Sequence, residues 1–192
     1  MVRARQSEMD SAGFALFATP IGTCGIAWSA HGLRGVQLPE ADDQKALARL
    51  DRRFPDLALS AADPIAEIID EISLHLSGQP VGYRKVKLDF SGVHPFERSV
   101  YAAARAIPFG ETRTYGALAA QVGDPQAAQA VGQALGRNPW PIIVPCHRIT
   151  AADGRTGGFS APGGTATKLK LLEIEGALAP ETLPLFAAGA AD

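Results

Sequence analysis

The chain has 192 residues, 46% of them apolar and 20% charged, with a net charge of −2. This is enough chain for one large domain, or for two small ones that share a core. No apolar run approaches the length of a membrane span, the N-terminus has no secretory apolar core, and two cysteines make no disulfide framework. A reducing cytoplasm or nucleoid, where a free thiol survives, is the expected compartment. Charge by segment says more than the total. Residues 1–94 carry 10 basic and 12 acidic side chains, whereas residues 95–176 carry 8 and 6. The second segment tolerates a polyanionic partner better.

Residues 1–12 read as a polar lead-in. "FALFATP", "GIAWSA" and "LRGVQLP", separated by Gly-containing turns, read as an antiparallel meander between Phe14 and Leu38. Residues 42–53 read as a helix with Asp42 or Asp43 as cap. "DPIAEIIDEISLHLSG" predicts another: Asp63 as N-cap, Pro64 at the first helical position, Gly78 as the stop, and Ile65, Ile68, Ile69, Ile72 and Leu76 as its apolar stripe. "KVKLDF" alternates like a strand. "SGVHP" (91–95) is a natural boundary, which divides the chain into an N-terminal α/β domain (13–93), with a small antiparallel sheet, and a mainly α-helical C-terminal domain (94–176).

That second domain opens with an amphipathic helix in "PFERSVYAAARAIP". Two short helices follow, with Gly123 as a stop, Asp124 as a cap and Pro125 at the first helical position, the pattern of a helix-turn-helix. The second of these helices carries Ala127, Ala128, Ala130, Gly132 and Ala134 and has little side-chain bulk. It suits either a tight core or a close approach to DNA phosphates, with Gln129 and Gln133 as polar probes. "AADGRTGGFSAPGG" is a Gly-rich loop, of a length that usually serves function. The helix "TATKLKLLEIEG" closes the domain, with Thr165 or Thr167 as cap and Gly176 as stop. Residues 177–192 read as a tail.

Between the small-faced helix and the Gly-rich loop lies "WPIIVPCHRIT". Cys146 follows a proline that stiffens its presentation and precedes His147 and Arg148. A thiolate is a nucleophile and a thiol is not, so a neighbouring base and a fixed cation both favour reactivity. His147 can take the proton directly or through a water. Arg148 can add positive potential or tie down the backbone. A base needs an orienting group, and Glu173 and Glu175 are both candidates. A Cys-His pair by itself is more often inert than reactive. Cys24, His31, His75 and His94 lack the paired short spacings of a zinc site, so no metal is expected, and Cys24 reads as a packed apolar residue. No cofactor is expected.

"NPWPIIVPCHRI", "IPFGETRTYGALA", "AVGQALGRNP" and "KLLEIEG", in this order between about Pro95 and Gly176, closely resemble the O6-alkylguanine-DNA alkyltransferases. The resemblance implies single-use transfer of an alkyl group, typically methyl, from O6 of guanine (or O4 of thymine) in double-stranded DNA to Cys146. The base would be flipped out, and the protein would act as a monomer. It implies that His147 takes the thiol proton through a water, that Glu175 orients His147, and that Asn138 holds the turn before the active-site segment. Tyr115 would press on the DNA backbone at the target nucleotide, and Ser160 would reach the O6 side of guanine. Pro141, Ile149 and the Gly-rich loop would line the pocket, with Arg148 on the substrate side. The second helix, with Ala128 and Gly132, would enter the minor groove.

Two positions depart from the family pattern. Gln129 stands where the family has an arginine that fills the space of the flipped base, which predicts weaker extrusion. Phe159 stands where the family has a tyrosine that hydrogen-bonds the leaving guanine. Other readings of the same residues are an alkylated-DNA-binding protein without transfer activity, a cysteine hydrolase, and a thiol-based regulator. The retained Cys146, the lack of an oxyanion-hole motif and the lack of a resolving cysteine weigh against them in turn.

Overall fold

The structure, a computed structural model, describes residues 12–152 and 156–178. Residues 1–11 and 179–192, which hold most of the lead-in and tail, lie outside the described residues. β1 (Gly13–Thr19), β2 (Gly22–Ser29) and β3 (Gly32–Gln37) form an antiparallel meander in the order β1-β2-β3, with Phe14 opposite Ala27 and Ile26 opposite Val36. The expected meander is present. β2 is buried on both faces, because alternation sends Cys24, Ile26 and Trp28 into the main core and Ala27 into a second cluster with Phe14, Leu50 and Phe54. Gly32 has a φ of 134°, and a Cβ there would stand 2.6 Å from the Lys87 carbonyl oxygen, so only glycine fits.

Helix α1 (Asp43–Arg53) is capped by Asp42, whose carboxylate accepts the Lys45 N–H at 2.7 Å. The next helix begins later than Pro64 suggests. Asp63–Ile65 is a 3₁₀ turn in which Asp63 caps nothing, and α2 runs Ala66–Leu76. "KVKLDF" is a correction. Val86 and Leu88 are buried as the alternation requires, but the segment makes only one parallel bridge, Leu33 to Leu88. Arg105 occupies the Tyr83 and Val86 carbonyls, so these are not free for a ladder.

In the second half come α3 (Pro95–Arg105), β4 (Arg113–Thr114), α4 (Tyr115–Gln121), α5 (Ala128–Gly136), a 3₁₀ turn (Cys146–Arg148), β5 (Ile149–Thr150) and α6 (Thr165–Ile174). α5 starts three residues after Pro125, because Asp124 closes a turn onto Gln126 and Ala127 first. The threonine cap expected for α6 is also corrected. Gly164 precedes this helix without a side-chain cap, and the Thr167 hydroxyl donates to the Pro162 carbonyl at 2.6 Å.

One apolar core runs from Ala15 to Leu171 across both halves. Trp140 anchors the join. It is fully buried, donates from Nε1 to the Leu33 carbonyl at 2.7 Å and lies edge-on to Phe90 and Tyr101. The Pro139 carbonyl accepts the Val36 N–H at 2.9 Å and the Arg53 guanidinium at 3.2 Å. The meander is therefore a buttress for the segment that leads to Cys146.

Candidate active site

The approach to Cys146 is a strained turn. Ile142 has a φ of 75°, the left-handed region, which a β-branched residue avoids. The Val144 N–H donates to the Trp140 carbonyl at 2.8 Å and the Cys146 N–H to Val144 at 2.8 Å. Asn138 closes the turn. Its amide nitrogen donates to the Val144 carbonyl at 2.8 Å and to Cys146 Sγ at 3.3 Å, and its carbonyl oxygen accepts the Trp140 N–H at 2.9 Å. Beyond the thiol, Ile149 and Thr150 pair in parallel with Arg113 and Thr114, which sets Tyr115 beside the cysteine.

Behind the thiol, Glu175 collects five donors. Oε1 accepts from His147 Nε2 at 2.6 Å, His75 Nε2 at 2.9 Å and Arg148 Nη2 at 2.9 Å. Oε2 accepts from Arg148 Nε at 2.8 Å and the Gly110 N–H at 3.3 Å. Gly110 has a φ of 77°, and a Cβ there would sit 3.0 Å from the Glu175 backbone carbonyl, so glycine admits this approach. A carboxylate only accepts, so both imidazoles carry a proton on Nε2. Neither Nδ1 has a protein partner among the described residues. Glu173, the other candidate, is exposed and pairs with Lys170, so Glu175 is the acid that reaches His147.

These contacts decide the resting protonation. Burial pushes the Cys146 thiol up, and the Asn138 hydrogen bond and the charge of Lys168 only partly oppose this. Burial also pushes His147 down, against the pull of Glu175. Burial raises the Glu175 carboxyl, but the hydrogen bonds from His147, His75 and Arg148 outweigh it and hold the group well below the carboxylate range. The resting pair is a thiol and a neutral imidazole. Arg148, expected on the substrate side, is corrected: it is 5% exposed and fully engaged with Glu175 and the Ile107 carbonyl. It neutralises Glu175 and supplies no free charge to the thiol.

Cys146 sits on the wall common to two clefts. One is lined by Asn138, Pro141, Arg137, Phe159 and Ser160, and the other by Tyr115, Gly132, Gly158, Phe159 and Ser160. The Tyr115 ring packs between Gly132 of α5 and Gly157 of the loop. Ile149 is a second correction. It is fully buried in the core and lines neither cleft. On α5, Val131, Ala134 and Leu135 are buried, Ala128 and Gly132 half-buried, and Gln129 and Gln133 exposed. The core reading of that helix holds for the face of Val131, Ala134 and Leu135, and the opposite face is open.

Two residues of the site escaped the sequence reading. His75 lies three residues after Ile72 on the buried stripe of α2, and a titratable side chain on such a stripe was the available signal. Lys168 is fully buried, donates from Nζ to the Ile149 carbonyl at 2.5 Å and to Thr156, and faces the Tyr115 ring at 5.8 Å. Its signal was the same, since Lys168, Leu171 and Glu175 share one face of the closing helix. Burial lowers the Lys168 ammonium to about 8. His75, His147 and Glu175 place ligand-type atoms within 4.8 Å of one another. Those atoms already hydrogen-bond one another, and the same carboxylate carries the Arg148 charge, which repels a cation.

Residues 95–177 match the model of the 6-O-methylguanine DNA methyltransferase DNA-binding domain. A methylated-DNA–protein-cysteine methyltransferase of Salmonella typhimurium is 50% identical over 163 residues, covering 84% of this chain and 94% of that protein. One of Methanosarcina acetivorans is 36% identical, covering 85% and 97%. The crystal structure of Mycobacterium tuberculosis O6-methylguanine methyltransferase superposes with a TM-score of 0.70 at 32% identity, covering 92% of this chain and 99% of that one. The complex of the M. tuberculosis protein with DNA superposes at 0.69, covering 86% and 93%. Fold and site thus define a DNA-repair protein that works by alkyl transfer. The chain belongs to the methylated-DNA–protein-cysteine methyltransferase family.

Proposed function

We propose that Cys146 is the acceptor of an alkyl group carried on O6 of guanine in double-stranded DNA, and that each molecule acts once. The observation that carries this reading is the position of Cys146, at the wall shared by two clefts with the Glu175-anchored His147 next in the chain. The thiol proton passes to His147 Nδ1, directly or through a water, and Glu175 balances the imidazolium. Sulfur then attacks the alkyl carbon. The S–C bond forms as the C–O6 bond breaks, its electron pair goes to the guanine ring, and the ring takes up at N1 the proton the thiol released. A thioether does not hydrolyse at a useful rate, so Cys146 is consumed.

An O6-alkyl group inside a duplex is out of reach, so the base must rotate out, at a lower cost for a damaged pair. α4 and α5 act as the helix-turn-helix, α5 presenting Ala128 and Gly132 to the minor groove while Tyr115 presses on the backbone at the target. Gln129 enters the vacated stack, Phe159 stacks on the extruded base, and Ser160 donates to O6. Asn138 holds the turn and stabilises the thiolate. The N-terminal α/β domain (13–93) buttresses the DNA-binding, alkyl-acceptor domain (94–176). The protein works as a monomer in the cytoplasm; no described helix is long and apolar enough to cross a membrane.

The test is to incubate the protein with a duplex carrying O6-methylguanine and measure its intact mass. One added methyl per chain, located on Cys146 and lost in Cys146→Ala, is the expected result. Repeated turnover without protein modification would sink the reading.

A further inference from the structure

His75 reaches the acid–base group from the first half of the chain, 100 residues from Glu175. Its ring is fully buried, stacks on Tyr83 with centroids 5.6 Å apart and meets Phe109 edge-on at 5.2 Å. As a packing residue an imidazole is a costly choice there, because its Nδ1 is buried without a protein partner among the described residues. Glu175 does not need it for satisfaction either. A carboxylate offers about four lone-pair sites, and His147, Arg148 Nη2, Arg148 Nε and the Gly110 N–H already supply four donors. His75 is the fifth, and it competes for Oε1, the oxygen that His147 uses.

We propose that His75 is a positioning residue for alkyl transfer: by donating to Glu175 Oε1 it limits how tightly that oxygen holds a protonated His147, and so keeps the His147 imidazole free to accept the thiol proton. This rests on the reading of Cys146, His147 and Glu175 given above. The other ionisable groups facing the pair are Arg148 and Cys146 from the 3₁₀ turn, Tyr83 with Glu71 near it, and Lys168 from α6 on the side of Cys146. Of these, only Arg148 donates to Oε1, from Nη2 at 2.9 Å.

Single-turnover methyl transfer from an O6-methylguanine duplex is followed against pH for wild type, His75→Phe and His75→Gln. Phenylalanine fills the aromatic pocket and cannot donate, whereas glutamine keeps an N–H donor. The acid limb of the His75→Phe profile is expected to move up by about half to one pH unit, with His75→Gln close to wild type and all three converging at high pH. Coincident profiles, or a pH-independent loss common to both variants, overturn the proposal. Imidazole ¹⁵N spectra of the unaltered protein give a second test, which stands even if His75→Phe does not fold. The His75 proton is expected on Nε2, and a proton on Nδ1 alone overturns the proposal. Failure of wild type to gain a methyl group would instead strike at the function proposed for Cys146, and leaves the His75 tautomer measurement as it is.

Discussion

Asn138 gives one amide nitrogen to two acceptors, the Val144 carbonyl and the Cys146 sulfur, while its oxygen takes the Trp140 N–H. It thus links the anchor that joins the two halves, the strained turn and the thiol. Asn138→Ala leaves a buried carbonyl and a backbone N–H without this partner. Unfolding free energy is expected to fall by about 1–3 kcal/mol, measured by urea denaturation. Methyl transfer should slow beyond what that loss explains, since the developing thiolate loses its donor. A variant as fast as wild type would show that the sulfur does not need it.

Removing Glu175 strands the Arg148 charge beneath the core. Glu175→Ala is expected to cost about 3–5 kcal/mol. Arg148→Met in the same chain should recover part of that cost, because the buried cation goes with its partner. Additive losses in the double variant would mean that the two side chains are energetically independent despite contacts of 2.8 and 2.9 Å.

Acid should destabilise the fold in two stages. His147 is held below its ordinary value of 6.5, so on acidification the unfolded chain takes up a proton that the folded one refuses. Its contribution is complete above about 6.5 and declines as pH falls below it. Glu175 is held below its ordinary 4.5, so its contribution is present above 4.5 and is lost below. Each proton gives a slope of up to about 1.4 kcal/mol per pH unit. Urea unfolding at pH 8, 6, 5 and 4 measures both stages, and Glu175→Ala should abolish the lower one. A flat profile between pH 8 and 5 would contradict the buried, neutral His147.

Gln129 is exposed on α5 and uncharged. Gln129→Arg is expected to speed base extrusion and to raise the salt dependence of DNA binding by about one counterion. Stopped-flow transfer and binding isotherms at several salt concentrations test both. If Gln129→Arg transfers no faster, extrusion is not what limits this protein.

Ile142 and Ile143 are both buried, but only Ile142 has a positive φ. Replacing either by glycine deletes the same side chain, while only Ile142→Gly relieves backbone strain. Ile142→Gly should therefore be less destabilising than Ile143→Gly by about 1–2 kcal/mol, read from paired denaturation curves.

The meander, the helices and the Cys146 segment were legible because their signals are local: alternation in "GIAWSA", an aspartate before a helix, a proline–cysteine–histidine run. Local signals were also the ones that slipped by a few residues. Asp63, Asp124 and the α6 threonines are good caps by type, but a turn stands between each aspartate and its helix, and Gly164 takes the cap position of α6. Partners distant in the chain were beyond such signals. Arg148 reads as a cation beside a thiol until Glu175 folds onto it, and Ile149 reads as a pocket wall until β5 pairs with β4 and turns it inward.

Residue order, with the family resemblance it carries, therefore put forward the groups proposed to do chemistry here, in the succession Asn138, Cys146, His147, Glu175. Only the packed chain decided their charge states. Burial keeps Cys146 a thiol and His147 neutral, and convergence of five donors keeps Glu175 ionised. The reason is physical. A pKa depends on desolvation and on charges within a few ångströms, and neither is a function of separation along the chain. His75, 100 residues from the carboxylate it touches, is the clearest instance.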